Sequence, residues 1–231
     1  MKTTLMFGSI GTLMETSDIQ RRAYNQALKE AGLNWDWTPE IYSELLTQSG
    51  GKERLAMLAA ATGISLSTQH IETIHARKTE IAGNEMMGGH CKLRPGVEEL
   101  IKWAKARGIK LAFVTTTYQP NIDAVFESAG AALSKSDFAY IGSRSDVKDG
   151  KPSPDAYLRA LKHLNVEAQQ ALAIEDTAAS VMSAKRAGLQ VIATPGELSA
   201  GQDFWQADLV CKQLVASGGT LDAEVLSLFE K

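Results

Sequence analysis

The chain has 231 residues, of which 44% are hydrophobic and 22% are charged. This length predicts one large domain or a core with an insertion, and the composition argues against disorder, collagen-like repeats and a disulfide scaffold. Twenty-four basic and 27 acidic residues give a net charge of -3, without the basic excess of a dedicated nucleic-acid binder.

Cysteines and apolar runs indicate the cellular compartment. Only Cys91 and Cys211 are present, in no metal-ligand spacing, which is typical of a reducing compartment. The N-terminal apolar run is too short for a signal peptide, and no stretch offers the roughly 20 apolar residues that span a membrane. We therefore expect a cytoplasmic protein with no membrane partner.

One strand and then a series of helices are predicted in the N-terminal part. Residues 3–7 form a short apolar run that predicts a strand ending at a glycine-bearing turn. Residues 18–90 carry no strand signal and are predicted to be helical. Thr38 before Pro39 is typical of a helix N-cap followed by proline at the first helical position, and Ser67 is a second candidate cap.

After residue 96 the pattern changes to alternating helices and strands. An apolar stripe at helical spacing starts at Val97, and Glu98 and Lys102 pair on another face of the same helix. Strands are predicted at 110–115, 138–141, 171–175, 190–193 and 208–210, and further helices near 120–129, 154–164 and 178–187. Such alternation indicates a parallel sheet with helices on both faces.

These elements predict an α/β fold with a doubly wound parallel sheet. The first strand stands apart from the others, so the simplest architecture is a core of residues 1–14 and 91–231 with a helical cap, residues 15–90, inserted after that strand. Ligands of such sheets bind outside the carboxyl ends of the strands. Loop N–H groups and hydroxyls at those ends suit a phosphate.

Three short motifs stand at or near these strand ends. Thr115 ends the second strand, Lys151 lies between Gly150 and Pro152, and Glu175-Asp176 ends a later strand. In order and spacing they resemble motifs two, three and four of the haloacid dehalogenase superfamily of phosphotransferases. The resemblance implies that Thr115 binds the phosphoryl group, that Lys151 is the motif-three lysine, and that Glu175 and Asp176 hold Mg²⁺.

Other segments are similar to the CbbY-type sugar bisphosphate phosphatases, which act on xylulose bisphosphate. They include Tyr24-Asn25, Gly50-Gly51-Lys52-Glu53-Arg54, Lys78-Thr79-Glu80, Leu93-Arg94-Pro95-Gly96 and Thr115-Thr116-Thr117. This similarity implies that Lys52 and Arg54 bind a distal phosphate. We also expect Thr12, Thr116 and Glu15 to contact the substrate.

Motif one departs from the family pattern. The family reads Asp-x-Asp-Gly-Thr-Leu, in which the first aspartate is the nucleophile and the second is the general acid and base. Here the stretch reads Gly8-Ser9-Ile10-Gly11-Thr12-Leu13, so both carboxylates are absent. A lost nucleophile costs about 10⁴ to 10⁶ in turnover and a lost general acid and base about 10² to 10⁴. Gln20 also replaces an expected histidine.

The sequence therefore predicts a protein that binds a small phosphorylated ligand and has lost, or nearly lost, hydrolysis. Mg²⁺ would keep a weakened site made by Asp176, Glu175 and the carbonyl of Ile10, filled together with a phosphate ligand. Two alternatives remain open. One is a working phosphatase with a displaced nucleophile, for which Ser9 and Glu15 are candidates, although strand alternation points Ser9 away from the Gly8 direction. The other is a regulatory or scaffold protein with a vestigial pocket, and its protein partner is unknown.

Overall fold

A six-stranded parallel sheet forms the centre of the structure, a computed structural model that describes residues 1–230. The strands are β1 (Thr4–Phe7), β2 (Lys110–Val114), β3 (Tyr140–Gly142), β4 (Ala171–Glu175), β5 (Gln190–Ala193) and β6 (Leu209–Val210). Their order in the sheet is β3-β2-β1-β4-β5-β6, with β2 and β3 on one side of β1 and β4 to β6 on the other, so the sheet is doubly wound. The predicted fold class is confirmed.

Helices cover the sheet and fill the stretch between β1 and β2. They are α1 (Ile10–Leu13), α2 (Ser17–Glu30), α3 (Pro39–Leu45), α4 (Gly51–Thr62), α5 (Thr68–Glu85), α6 (Val97–Ala106), α7 (Gln119–Ala129), α8 (Asp155–Leu164), α9 (Ala178–Arg186) and α10 (Ala223–Glu230). The predicted turn after β1 contains the single helical turn α1. No helix within residues 1–230 is both long and apolar enough to cross a membrane.

Strand β1 lies at the middle of the sheet because all of its residues are suited to burial. Leu5 and Phe7 face one apolar cluster, and Met6 faces the cluster on the opposite side. Its neighbours β2 and β4 are parallel to it, with Phe7 in register with Phe113 and Ile174. The carboxyl ends of these three strands therefore lie side by side.

Helices α2 to α5 have an apolar cluster of their own. Tyr24, Trp37 and Tyr42 stack in its centre, and the Tyr24 and Trp37 ring centroids lie 4.4 Å apart. Trp37 is completely buried, as expected for a tryptophan that packs between helices. A separate apolar cluster agrees with a helical cap inserted into the core. The domain boundaries at residues 14/15 and 90/91 stay a prediction.

Local signals in the sequence place several helix ends. The Thr38 side chain accepts a hydrogen bond from the N–H of Ile41, and Ser67 accepts one from His70, so both predicted caps are confirmed. In α6 the predicted apolar stripe is buried, and Lys102 lies 2.6 Å from Glu98 on the exposed face.

Candidate functional site

A cleft opens where the carboxyl ends of β1, β2 and β4 face the helices of the cap. The cavity at its base has a volume of about 200 Å³. Its core wall includes Ser9, Thr115, Lys151 and Asp176. The predicted residues from three separate motifs are thus brought to one place, as the doubly wound topology requires.

Hydroxyl groups and one carboxylate form the floor of the cleft. Thr115 is almost completely buried, and its hydroxyl accepts the N–H of Thr117, which fixes the turn after β2. The Ser9 hydroxyl donates to Asp176 Oδ1 at 2.6 Å. Gly11 permits this arrangement, because a β-carbon at that position would lie within 3.0 Å of the Asp176 carboxylate.

The space beside Gly8 is filled by a buried polar cluster. A β-carbon on Gly8 would lie within 3.0 Å of both Glu175 Oε1 and the Tyr157 hydroxyl. Tyr157 donates to Glu175 Oε1 at 2.6 Å, and Lys151 Nζ lies 2.5 Å from the same oxygen. Lys151 also donates to the carbonyl of Gly8. A neighbouring glutamate thus occupies the direction that a motif-one aspartate would take.

Burial controls the charge of Glu175. Desolvation raises the pKa of its carboxyl to about 6, and the opposing attraction of Lys151 keeps the pKa from rising further. Glu175 Oε2 has no hydrogen-bond partner within residues 1–230, and the residue exposes no surface. The pair stabilises Lys151, which would otherwise be a buried cation without a counter-ion.

Ile10 occupies the position of the general acid and base. Its side chain belongs to the main apolar cluster, and its carbonyl accepts the N–H of Met14 at the end of α1. Ile10 therefore offers no proton to a leaving group in the cleft.

Basic side chains line the cap wall of the cleft. Arg54 donates to the carbonyl of Gln48 and to the Tyr42 hydroxyl, and Lys78 donates to the side-chain oxygen of Gln20. Neither cation lies in an ion pair among the residues that the structure describes. The Tyr24 hydroxyl is buried at the same wall and has no partner there. Cations without counter-ions and an unused hydroxyl suit an anionic, oxygen-rich ligand.

Burial shifts the pKa of two of these groups. Desolvation, aided by nearby Arg54, lowers the pKa of Lys78 to about 7. Desolvation and the surrounding cations Lys78, Lys52 and Arg54 lower the pKa of His75 to about 3, so this imidazole is neutral at physiological pH. A bound anion would oppose these shifts by favouring the protonated forms.

Some predicted substrate residues lie outside the lining of the cleft. Lys52 contacts Glu72 at 3.2 Å and lies over the ring of Tyr118 in an adjacent groove. Thr12 is buried and donates to the carbonyl of Ser9, which shapes the turn. Thr116 and Arg54 do line the cleft.

Glu15 also lies outside the lining. Its carboxylate accepts the N–H groups of Ser17 and Glu197, each at 2.9 Å. These hydrogen bonds join the start of the cap to the loop after β5. Glu15 therefore has a structural role, and its position does not support a role as the nucleophile.

The alternation expected after β1 is seen at Ser9, whose side chain points to Asp176, whereas a side chain on Gly8 would point to Glu175. Ser9 nevertheless lines the cleft.

Several residues of the site were not predicted from the sequence. Arg144 and Asn121 line the cleft, Lys78 supplies a cation, and Tyr157 anchors Glu175. Of these residues, Lys78 alone could have been identified from the sequence. It lies on a predicted buried helix face with the spacing of His75, Lys78, Thr79 and Ala82, and a lysine on a buried face indicates a specific role. Arg94 was also missed; its guanidinium donates to the carbonyls of Gly11, Thr194, Pro195 and Lys212.

The predicted metal ligands have other partners. Glu175 is bound to Lys151 and Tyr157 and does not line the cleft, while Asp176 accepts from Ser9. No group of three or more His, Cys, Asp or Glu side chains within residues 1–230 is placed to hold a metal ion.

Comparison with known proteins agrees with this architecture. The family model described as haloacid dehalogenase-like hydrolase matches residues 11–194. Protein CbbY of Rhodobacter capsulatus is 40% identical over 204 residues, which is 88% of this chain and 90% of that protein. Protein CbbY of Cereibacter sphaeroides is 37% identical and is covered to 95%, as is this chain.

Solved structures show the same similarity over the whole length. The crystal structure of CbbY from Rhodobacter sphaeroides in complex with phosphate has a TM-score of 0.89 at 36% identity, with both chains covered completely. A mutant of that protein in complex with xylulose-(1,5)bisphosphate has a TM-score of 0.87 at 37% identity, covering 96% of this chain and 100% of that one.

Proposed function

Since this chain belongs to the haloacid dehalogenase-like hydrolase family, we propose that it binds a phosphorylated sugar in the cleft and has lost, or nearly lost, the ability to hydrolyse it. One observation carries the proposal: the tip of β1 has no carboxylate to act as the nucleophile, while Thr115, Lys151 and basic side chains of the cap line the same cleft. Gly8 and Ile10 supply neither a carboxylate to accept a phosphoryl group nor a general acid.

Retained binding is supported by the cations of the cleft. Arg54, Lys78 and Arg144 line it without ion pairs among residues 1–230, and Lys151 and Thr115 lie at the strand ends opposite. An arginine can hold a phosphate through two parallel hydrogen bonds, and a lysine acts as a point charge. Cations on both walls suit a ligand with phosphates at both ends, such as the bisphosphate bound by the similar CbbY mutant.

Calorimetric titration with xylulose-1,5-bisphosphate, alongside sugar monophosphates, tests binding. We expect heat and a thermal shift, because a ligand at about 100 times its Kd stabilises the fold by about 2.7 kcal/mol. Arg54→Gln should weaken binding by about tenfold to a hundredfold, the effect of losing a charged hydrogen bond. Arg77→Gln, on the same cap but paired with Glu30 and Glu80 at the surface, is the matched control. No binding by any of these esters would favour a scaffold with a vestigial pocket.

The hydrogen bond between Ser9 and Asp176 supports a second candidate, a slow hydrolase that uses Ser9 as a displaced nucleophile. A carboxylate at 2.6 Å can take the proton of an attacking hydroxyl. Phosphate release that disappears in Ser9→Ala while ligand binding persists would establish this candidate. Equal release by the two proteins would exclude it.

A further inference from the structure

Mg²⁺ is the cofactor that this fold implies, and the residues of this chain do not fit it. A magnesium site is built from one or two carboxylates with ligand oxygens and several waters, in an octahedral shell. Within residues 1–230, Asp176 alone supplies a core carboxylate to the cleft, and that carboxylate accepts a hydrogen bond from Ser9. Positions 8 and 10 add no carboxylate, and the Ile10 carbonyl, predicted as a further ligand, already accepts the N–H of Met14.

Glu175 cannot replace the missing carboxylate ligands of Mg²⁺ from its position in the structure. Its Oε1 is held by the ammonium of Lys151 and the hydroxyl of Tyr157, and its side chain exposes no surface to the cleft. Oε2 is free, but it is enclosed in the protein, and an ion that keeps waters in its shell needs an open approach. The carboxylate serves as the counter-ion of Lys151.

The charges that line the cleft already suit an anion. Four Lys and Arg side chains and two acidic side chains line it: Arg54, Lys78, Arg144 and Lys151 against Glu53 and Asp176. Three of the four basic groups lack an ion pair among the described residues, since Lys151 alone is paired there. A phosphate ester therefore meets the uncompensated positive charge of Arg54 and Arg144 without the help of a divalent cation, and its own charge favours the protonated form of Lys78.

We propose that this chain binds its phosphate ester without Mg²⁺, at an anion site in which Lys and Arg side chains neutralise the phosphate charge in place of the metal ion. The proposal rests on the proposed function and adds the chemistry of recognition. The proposal also changes the expected role of Asp176. Without a metal ion to bind, its carboxylate repels the phosphate of the ligand, and the hydrogen bond from Ser9 fixes the position of that carboxylate.

Calorimetric titration of the full chain with xylulose-1,5-bisphosphate, after treatment with a chelator and again with millimolar Mg²⁺, tests the proposal. We expect Kd values that agree within about threefold. A Kd that tightens tenfold or more with Mg²⁺, equivalent to about 1.4 kcal/mol, would overturn the proposal while leaving the proposed function intact. Absence of binding in both buffers would overturn the two together.

Two further measurements do not depend on this ester. Mn²⁺ added alone should stay free in solution by electron paramagnetic resonance, and stoichiometric bound Mn²⁺ would contradict the proposal. Asp176→Asn should bind the bisphosphate as tightly as the unmodified chain or more tightly, because it removes a negative charge. A metal ligand would show the reverse, so weaker binding by this variant with an unchanged melting temperature also counts against the proposal.

Discussion

The carboxylate of Glu175 fills the space into which a side chain at Gly8 would extend. Lys151 and Tyr157 fix the carboxylate there. The motif-one change is therefore coupled to the packing of motifs three and four. A side chain at position 8 therefore requires its surroundings to shift, and Glu175 is the counter-ion of the buried Lys151.

Substitution of Gly8 by alanine tests this packing. We expect Gly8→Ala to lower the free energy of unfolding by about 1 to 3 kcal/mol, because the added methyl group overpacks against Glu175 and Tyr157. Gly150→Ala is the control, since a β-carbon there meets open space, and it should change stability by less than about 0.5 kcal/mol. Urea unfolding measures both. Equal effects would mean that the space beside Gly8 is not filled.

Removing the charge of Glu175 tests its part as a counter-ion. Glu175→Gln leaves the Lys151 ammonium buried without a partner, so we expect a loss of about 3 to 5 kcal/mol in the free energy of unfolding. Glu98→Gln breaks the exposed pair with Lys102 and should cost about 0.5 kcal/mol or less. Chemical denaturation of the two variants compares them, and a small effect at position 175 would argue against the buried pair.

The buried lysine of the cap predicts a pH dependence. Burial lowers the pKa of Lys78 to about 7 in the folded chain, below its ordinary value of 10.5. Between these values the unfolded chain binds the proton and the folded chain does not. The free energy of unfolding therefore rises with pH between about 7 and 10.5, by up to about 1.4 kcal/mol per pH unit. Below pH 7 both states bind the proton, so the burial of Lys78 costs its full amount and the dependence on pH ends.

Comparison of variants isolates that contribution. Lys78→Met should lack this rise between pH 7 and 9, whereas Lys29→Met, at an exposed position of α2, should keep it. Denaturant midpoints at several pH values give the slopes. A slope unchanged in Lys78→Met would show that Lys78 stays protonated in the folded chain.

Reconstruction of motif one should depend on Tyr157. An aspartate at position 8 needs room that Glu175 and the Tyr157 hydroxyl occupy, and the hydroxyl belongs to a rigid ring. We expect Gly8→Asp with Ile10→Asp to gain phosphate release in the presence of Mg²⁺, and to gain more when Tyr157→Phe is added. Released phosphate from the same bisphosphate measures the gain. Identical rates with and without Tyr157→Phe would show that the hydroxyl is no obstacle.

The sequence was sufficient for the fold because its signals are local. Each signal depends on residues that are close in the sequence, within one or two helical turns. Examples are the apolar runs, the helix caps Thr38 and Ser67, and the apolar stripe that starts at Val97. Strand alternation then placed Thr115, Lys151 and Asp176 at one edge of the sheet.

Much of the site depends instead on contacts between distant residues. Nothing in the sequence around Gly8 shows that Glu175 fills the space beside it, since the two lie 167 positions apart in numbering. Similarly, Arg94 meets four carbonyl groups from different loops, and only the folded chain brings these together. The placement of Lys52 and Glu15 outside the cleft lining has the same origin, because each has a partner from another segment.

Phosphate release by the unmodified chain tests the central claim most directly. The assay uses xylulose-1,5-bisphosphate at a concentration that calorimetry shows to be saturating, with Mg²⁺ present so that the usual chemistry has every opportunity. We predict bound ligand and phosphate release far below about 1 s⁻¹, the lower end of ordinary enzyme turnover. Sustained release above that rate, by a chain with glycine at position 8 and isoleucine at position 10, would contradict the account.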